Sequence, residues 1–213
     1  MSAVALHRQC DEMIARIAFA SVVVALASCA AWAQQPATVR VAGTVESFDG
    51  HVLAVKSDKL GEVKVNLPGD LVVFAVSKGT LADVKAGAYI GAGAMPQADG
   101  SQRAIQLTVF AESLRGIGEG FRPWSARPNS TMTNGAVEQT VESVDGRMLT
   151  VKYKGGEQKI VVPADAVIQT YTIGDRSELK PGAHIAITRA LKKPDGTLEA
   201  DRVNVGRGEV VPQ

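Results

Sequence analysis

The stretch Thr44-Val45-Glu46-Ser47-Phe48-Asp49-Gly50-His51-Val52-Leu53-Ala54-Val55-Lys56 returns as Thr140-Val141-Glu142-Ser143-Val144-Asp145-Gly146-Arg147-Met148-Leu149-Thr150-Val151-Lys152, identical at nine of thirteen positions. A match this dense points to an internal duplication. It continues with one residue deleted: Gly61-Glu62-Val63-Lys64 against Gly156-Glu157-Gln158-Lys159, Pro68-Gly69-Asp70 against Pro163-Ala164-Asp165, and Lys85-Ala86-Gly87-Ala88 against Lys180-Pro181-Gly182-Ala183. Asp99-Gly100 and Asp195-Gly196 close the comparison. Two long units are too few for a solenoid.

Within each unit the hydrophobic period is two. Val39, Val41, Gly43 and Val45 alternate with Arg40, Ala42, Thr44 and Glu46, the pattern of a half-buried strand. Asp49-Gly50 and Asp145-Gly146 predict tight two-residue hairpins with positive φ at both central positions, leading into Leu53 and Val55 or Leu149 and Val151. A third strand is predicted at Val63 to Leu67, a short helical turn at Thr80 to Lys85, a fourth strand at Ala88 to Met95 and a fifth at Ala104 to Phe110. Their counterparts are Ile160 to Val162, Ser177 to Lys180, Ile185 to Arg189 and Ala200 to Val205. The expected fold is therefore all-β: two tandem small barrels of five to six strands, OB-like (oligonucleotide/oligosaccharide-binding), in which closure hides the sheet edges. A split barrel or a sandwich shared by both units would give almost the same pattern.

Gly43, Val45, Ser47, Asp49, Gly50, Leu53 and Val55, with a Lys-x-Gly turn and a later Asp-Gly hairpin, resemble a bacterial family of exported domains of unknown function built as small OB-like β-barrel repeats. The second unit departs from it by having Gln139 where Gly43 stands. These are turn and core positions, so the resemblance implies a fold and no chemistry. Relatives are sometimes labelled metal ABC transporter permeases, an activity that requires a membrane span.

Residues 1–33 read as an export signal, with an apolar stretch from Ile17 to Leu26 and an Ala31-Trp32-Ala33 cleavage site. Asp11 and Glu12 are unusual in such a leader, and initiation at Met13 would place Met-Ile-Ala-Arg directly before the apolar stretch. The stretch is shorter than the ~20 residues of a spanning helix, and nothing later in the chain is comparably apolar. The expected location is periplasmic. Leu26-Ala27-Ser28-Cys29 resembles a lipobox, which offers an alternative in which Cys29 is acylated and tethers the protein to the envelope. Both cysteines, Cys10 and Cys29, fall in the leader, so a processed chain has no disulfide, thiol nucleophile or cysteine metal site.

The chain of 213 residues carries 23 Lys plus Arg against 22 Asp plus Glu, a net charge of +1. That balance excludes a strongly basic nucleic-acid binder or an acidic disordered tail as whole-chain descriptions. Single-strand binding by small barrels also wants stacking platforms in a positive groove, and Phe48, Phe74, Tyr89, Phe110, Tyr153 and Tyr171 are scattered between the units. No nucleic-acid partner is expected.

The divisions are then a leader at 1–33, a first barrel at 34–110, an interdomain segment at 111–133 and a second barrel at 134–213. The segment between the barrels, AESLRGIGEGFRPWSARPNSTMT, has no strand period. Loops of this length are functional or disordered as a rule, and Ile117, Phe121, Trp124 and Met132 favour docking over disorder. One reading makes Arg115, Glu119, Arg122, Trp124 and Arg127 a ligand- or partner-binding patch, the arginines facing an anion or acidic partner and Trp124 stacking on a ring or sugar. The other makes the segment a staple, with Trp124 plugging the groove between barrels and the arginines paired to Glu112 and Glu119; docked linkers of this kind are the commoner arrangement.

No cofactor is expected. His51 and His184 occupy non-equivalent places and lack ligand spacing, and Met95, Met132 and Met148 suit gap filling better than Cu(I) binding. Asp49 and Asp145 are explained by their turns, and no nucleophile triad stands out. The sequence thus predicts no catalytic residues. It points to an exported, non-catalytic binding or scaffolding module for an unidentified envelope protein, or alternatively to a small-ligand or metal-handling protein that uses the interdomain segment.

Overall fold

The computed structural model describes residues 37–212 except 125, 144 and 145. The predicted leader, with Met13 and the Cys29 motif, lies outside the described residues, as does Asp145. The first half of the described chain contributes β1 (Thr38–Phe48), β2 (Val52–Ser57), β3 (Gly61–Asn66), β4 (Val72–Lys78), β5 (Tyr89–Pro96) and β6 (Gln102–Phe110). The linker forms β7 (Gly120–Pro123). The second half contributes β8 (Thr131–Ser143), β9 (Gly146–Tyr153), β10 (Gly156–Val162), β11 (Val167–Ile173), β12 (His184–Lys192), β13 (Leu198–Glu199) and β14 (Arg202–Gly206). Three single 3-10 turns are the only helical pieces among the described residues, and none of these is long enough to cross a membrane.

The all-β expectation holds, and the barrel is present. Strand β1 pairs with β2 and β2 with β3; β3 then runs parallel to β13 through Val65 and Leu198, β13 pairs with β12, and β12 returns to β1. This closes a mixed five-stranded barrel that takes three strands from the first half and two from the second. Five further pairings repeat the circuit with the halves reversed: β8 to β9, β9 to β10, β10 parallel to β6, β6 to β5 and β5 back to β8.

The expectation that each half closes a barrel of its own is therefore corrected: the halves exchange their last strands. The cores follow the exchange. One packs Val41, Leu53, Val55 and Val65 against Leu179, Ile185, Ile187 and Val203, and another packs Ile90, Ala92 and Leu107 against Val137, Leu149, Val151 and Ile160. Reciprocal backbone bonds fix both joints. Gly87 N–H donates to Val137 O at 2.8 Å, while Gly182 N–H donates to Val45 O at 2.9 Å.

Those bonds make Val137, rather than Val141, the counterpart of Val45. Val45 faces Val55 and Val137 faces Val151, each just before a bulge in its strand. Gly135, rather than Gln139, is consequently the counterpart of Gly43. Both glycines are needed for the same close approach: a Cβ on Gly43 would lie 2.1 Å from the Lys56 carbonyl oxygen, and one on Gly135 would lie 2.4 Å from that of Lys152. Thr140 to Ser143 is an insertion that lengthens the second hairpin, which leaves Val141 59% exposed. In the first hairpin the turn also differs from expectation. Asp49 does not take positive φ; its carboxylate accepts from His51 N–H at 2.8 Å and Val52 N–H at 2.7 Å, and Gly50 alone has φ of 98°.

Strands β4 and β11 were not foreseen. Val73, Phe74, Ala75 and Val76 are all buried, so β4 is covered on both faces and shows no alternation to read. It pairs antiparallel with β11, while β14 lies parallel along its other edge and β6 parallel along the far edge of β11. The result is a central sheet in the order β12-β14-β4-β11-β6-β5. On one face Val73, Ala75, Val203 and Ile168 feed the two cores. On the other, Phe74, Val76 and Tyr171 form a third cluster with Leu114, Phe110 and Ile117.

Candidate functional site

Because strands alternate, the residues between the core positions of the central sheet face the linker side. These include Gln106, Thr108 and Phe110 on β6, Tyr171 on β11, Phe74 on β4, and Arg202 and Asn204 on β14. The linker folds over them and leaves a cleft of about 290 Å³ lined by these residues together with Gly91, Asn134, Arg122 and Trp124.

Glycines make the room. A Cβ on Gly93 would lie 2.6 Å from the Trp124 ring, and one on Gly91 would lie 2.8 Å from Asn134 Oδ1. The linker is held tightly. Strand β7 pairs with β8, Trp124 N–H donates to Ser130 O at 2.9 Å, and Asn134 Nδ2 and Tyr89 Oη both donate to Ile117 O, at 3.0 and 3.2 Å. The segment docks on the sheet, and Trp124, rather than plugging a groove between two barrels, packs on Gly93 and lines the cleft.

The five residues singled out in the segment separate. Arg122 and Trp124 reach the cleft, Arg122 donating to Gly118 O at 2.7 Å. Arg115 turns away: it pairs with Glu112, donates to Gly87 O at 2.7 Å and lies 5.8 Å from the Tyr89 ring centroid. The Arg115 hydrogen bond holds the Glu112 carboxyl below its usual range, while burial pushes the Tyr89 hydroxyl up. Glu119 accepts the Lys154 N–H at 2.8 Å instead of pairing with an arginine. Arg127 is exposed on the β7–β8 turn.

Arg202, Asn204, Gln106, Thr108 and Asn134 complete the site and escaped the sequence reading. Their signal was the alternation of Gln106 and Thr108 with Leu107 and Val109, and of Arg202 and Asn204 with Val203 and Val205; polar alternation on a strand normally marks a solvent face. Here Gln106 is 7% and Asn134 5% exposed, yet Gln106 Oε1 and Asn134 Oδ1 have no hydrogen-bond partner. Gln106 Nε2 donates to Gln169 Oε1 at 3.2 Å, and Arg202 stacks 5.1 Å from the Phe74 ring centroid. Asn204 Nδ2 donates to Tyr171 Oη at 3.4 Å, and burial pushes the Tyr171 hydroxyl up to about 12.

Among the described residues no carboxylate lines this cleft. A larger hollow of about 550 Å³ beside Gly79, Val167 and Val211 offers Lys78 as its one charged group, without converging polar side chains. His51 sits exposed at a hairpin tip, whereas His184 Nδ1 lies 3.4 Å from Thr44 Oγ1. Among the described residues no three His, Cys, Asp or Glu side chains gather as a metal site. Compared with protein-family models, curated proteins and solved structures, the chain matches none.

Proposed function

We propose that the protein is an exported, non-catalytic binding module of the bacterial envelope that holds a small ligand in the cleft between its central sheet and its linker. The single observation that carries this reading is convergence: Arg122 and Trp124 from the linker, Arg202 and Asn204 from β14, and Gln106 and Asn134 with unpartnered oxygens meet in one cleft. Buried polar groups without partners cost about 1–3 kcal/mol each, and a ligand donor toward which the Gln106 and Asn134 amides turn would recover that. The lining offers guanidiniums, amides and hydroxyls on rigid strands, groups suited to holding and orienting a molecule. This favours the small-ligand alternative over a scaffold for a protein partner.

The frame is, in the same proposal, a duplicated OB-like unit. Leaving out β4 and β11, in each circuit of pairings the first three strands of one copy are followed by the last and next-to-last strands of the circuit from the other, β13 and β12 or β6 and β5, with the third strand parallel to β13 or β6, an order that supports the OB-like assignment and the resemblance to the exported barrel family. The leader-like sequence of residues 1–33 supports the periplasmic location.

A thermal-shift survey of the purified protein against sugars, small carboxylates, phosphates, amines and divalent metals tests the reading. A ligand at a hundred times its Kd stabilises by about 2.7 kcal/mol, and Trp124→Ala should abolish that shift. If no compound shifts the transition, or if every shift survives Trp124→Ala, the cleft is not a ligand site.

A further inference from the structure

The chemistry of the cleft is more specific than its existence. Arg122 and Arg202 are both exposed at its rim, neither takes part in an ion pair among the described residues, and no carboxylate lines the cleft to offset them. These two guanidiniums are the charged groups of the lining, which favours negative charge in the cleft. Guanidinium groups present paired donors that match the two oxygens of a carboxylate. Behind the rim the walls are flat and aromatic, from Trp124, Phe74, Phe110 and Tyr171, surfaces that favour the faces and edges of another ring. At the floor, Gln106 Oε1 and Asn134 Oδ1 are enclosed acceptors without donors among the described residues, which a ligand meets once their amides turn toward the cleft. A volume of about 290 Å³ lies at the small end of ligand pockets, enough for one ring with its substituents.

Resting on the cleft being a ligand site, we infer that it takes a single-ring aromatic carboxylate bearing a hydroxyl or amine donor away from the acid group. The carboxylate meets Arg122 and Arg202, the ring lies against Trp124 and Phe74, and the donor meets the floor amides. The cleft carries no lysine and no helix end that would add donors for a dianionic phosphate, which favours the carboxylate.

Calorimetric titration with four probes tests this: 4-hydroxybenzoate, benzoate, benzyl alcohol and phenyl phosphate. 4-Hydroxybenzoate should bind tightest, with benzoate roughly tenfold weaker because the floor oxygens stay unpaired. Benzyl alcohol and phenyl phosphate should each be at least about tenfold weaker than 4-hydroxybenzoate, since the first lacks the charge and the second the planar acid. Arg202→Gln and Arg122→Gln should each cost about tenfold for 4-hydroxybenzoate while the free protein still melts in one cooperative transition. Equal binding of benzyl alcohol, or affinity unaltered in both arginine variants, would overturn the acid assignment and leave the cleft as a site for a neutral ring. Tighter binding of phenyl phosphate would overturn the carboxylate. If none of the four binds while another compound shifts the melt in a Trp124-dependent way, this inference fails and the broader binding function survives.

Discussion

Val76 and Tyr171 lie directly opposite each other at the middle of the β4–β11 ladder. The bonds at its two ends mirror one another: Gly79 N–H donates to Ile168 O at 2.9 Å, and Gly174 N–H donates to Val73 O at 2.8 Å. Beyond them, Ala111 N–H reaches Tyr171 O and Arg207 N–H reaches Val76 O, both at 2.8 Å. The Val76–Tyr171 pair therefore marks the local two-fold about which the halves trade strands.

A first half expressed alone, residues 37–111, has no internal partner for the second edge of β1 or of β3. It should associate as a dimer that repeats the exchange with a second copy of itself, and light scattering after size-exclusion chromatography would report the mass. A stable, folded monomer would mean that a half can close its own barrel.

Deleting Thr140 to Ser143 should restore the short hairpin of the first half. The segment extends a ribbon beyond the barrel, and the ion pair lost with it, Glu142 to Arg147 at 2.8 Å, has a largely exposed carboxylate of little worth to stability. Denaturant unfolding should place the shortened chain within about 1 kcal/mol of the parent. A loss of several kcal/mol would contradict the register that equates Gly135 with Gly43.

Gly93→Ala should push the indole of Trp124 off the sheet, because the new methyl would sit 2.6 Å from the ring. In a chain beginning at Gln34, where Trp124 is the only tryptophan, emission should move to longer wavelength, with a loss of about 1–3 kcal/mol from overpacking. Unchanged emission would show that Trp124 is not seated on Gly93.

Stability should fall at both ends of the pH scale, for different groups. The Arg207 hydrogen bonds hold Glu178 below its usual value, and Asp99 and Asp195 are lowered by the hydroxyls of Ser101 and Thr197. Groups lowered by folding contribute fully above their unfolded values near pH 4, and that contribution is lost as pH falls through their folded values. Tyr171 has the opposite sign: raised from 10.0 to about 12, it contributes fully below pH 10 and loses this as pH rises through about 12. Urea midpoints across pH should show Glu178→Gln flattening the acid limb and Tyr171→Phe flattening the alkaline limb. An unaltered alkaline limb in Tyr171→Phe would remove burial of that hydroxyl as its cause.

The linker showed in advance that it would dock, because Ile117 and Trp124 are costly to leave in water, although Phe121 stays 42% exposed, and two of its five named residues, Arg122 and Trp124, reach the cleft. Arg202, Gln106 and Asn134 were silent. A polar residue alternating with apolar ones has the same pattern whether its face meets water or a folded-over linker, and only the path of the linker distinguishes the two.

Local chemistry determined the strands: alternation around Val41 and Val45, the Asp49 and Gly50 turn, and the apolar runs that end in the cores are all set by neighbours along the chain. Which half supplies the last two strands of each barrel is a different matter. Leu53 shares its core with Ile185, whose counterpart in the first half is Ile90, so either strand offers the same residue type and the pattern is degenerate. The tertiary structure broke the tie through β4 and β11, whose doubly buried runs pair across the two-fold and carry each chain segment over to the opposite barrel.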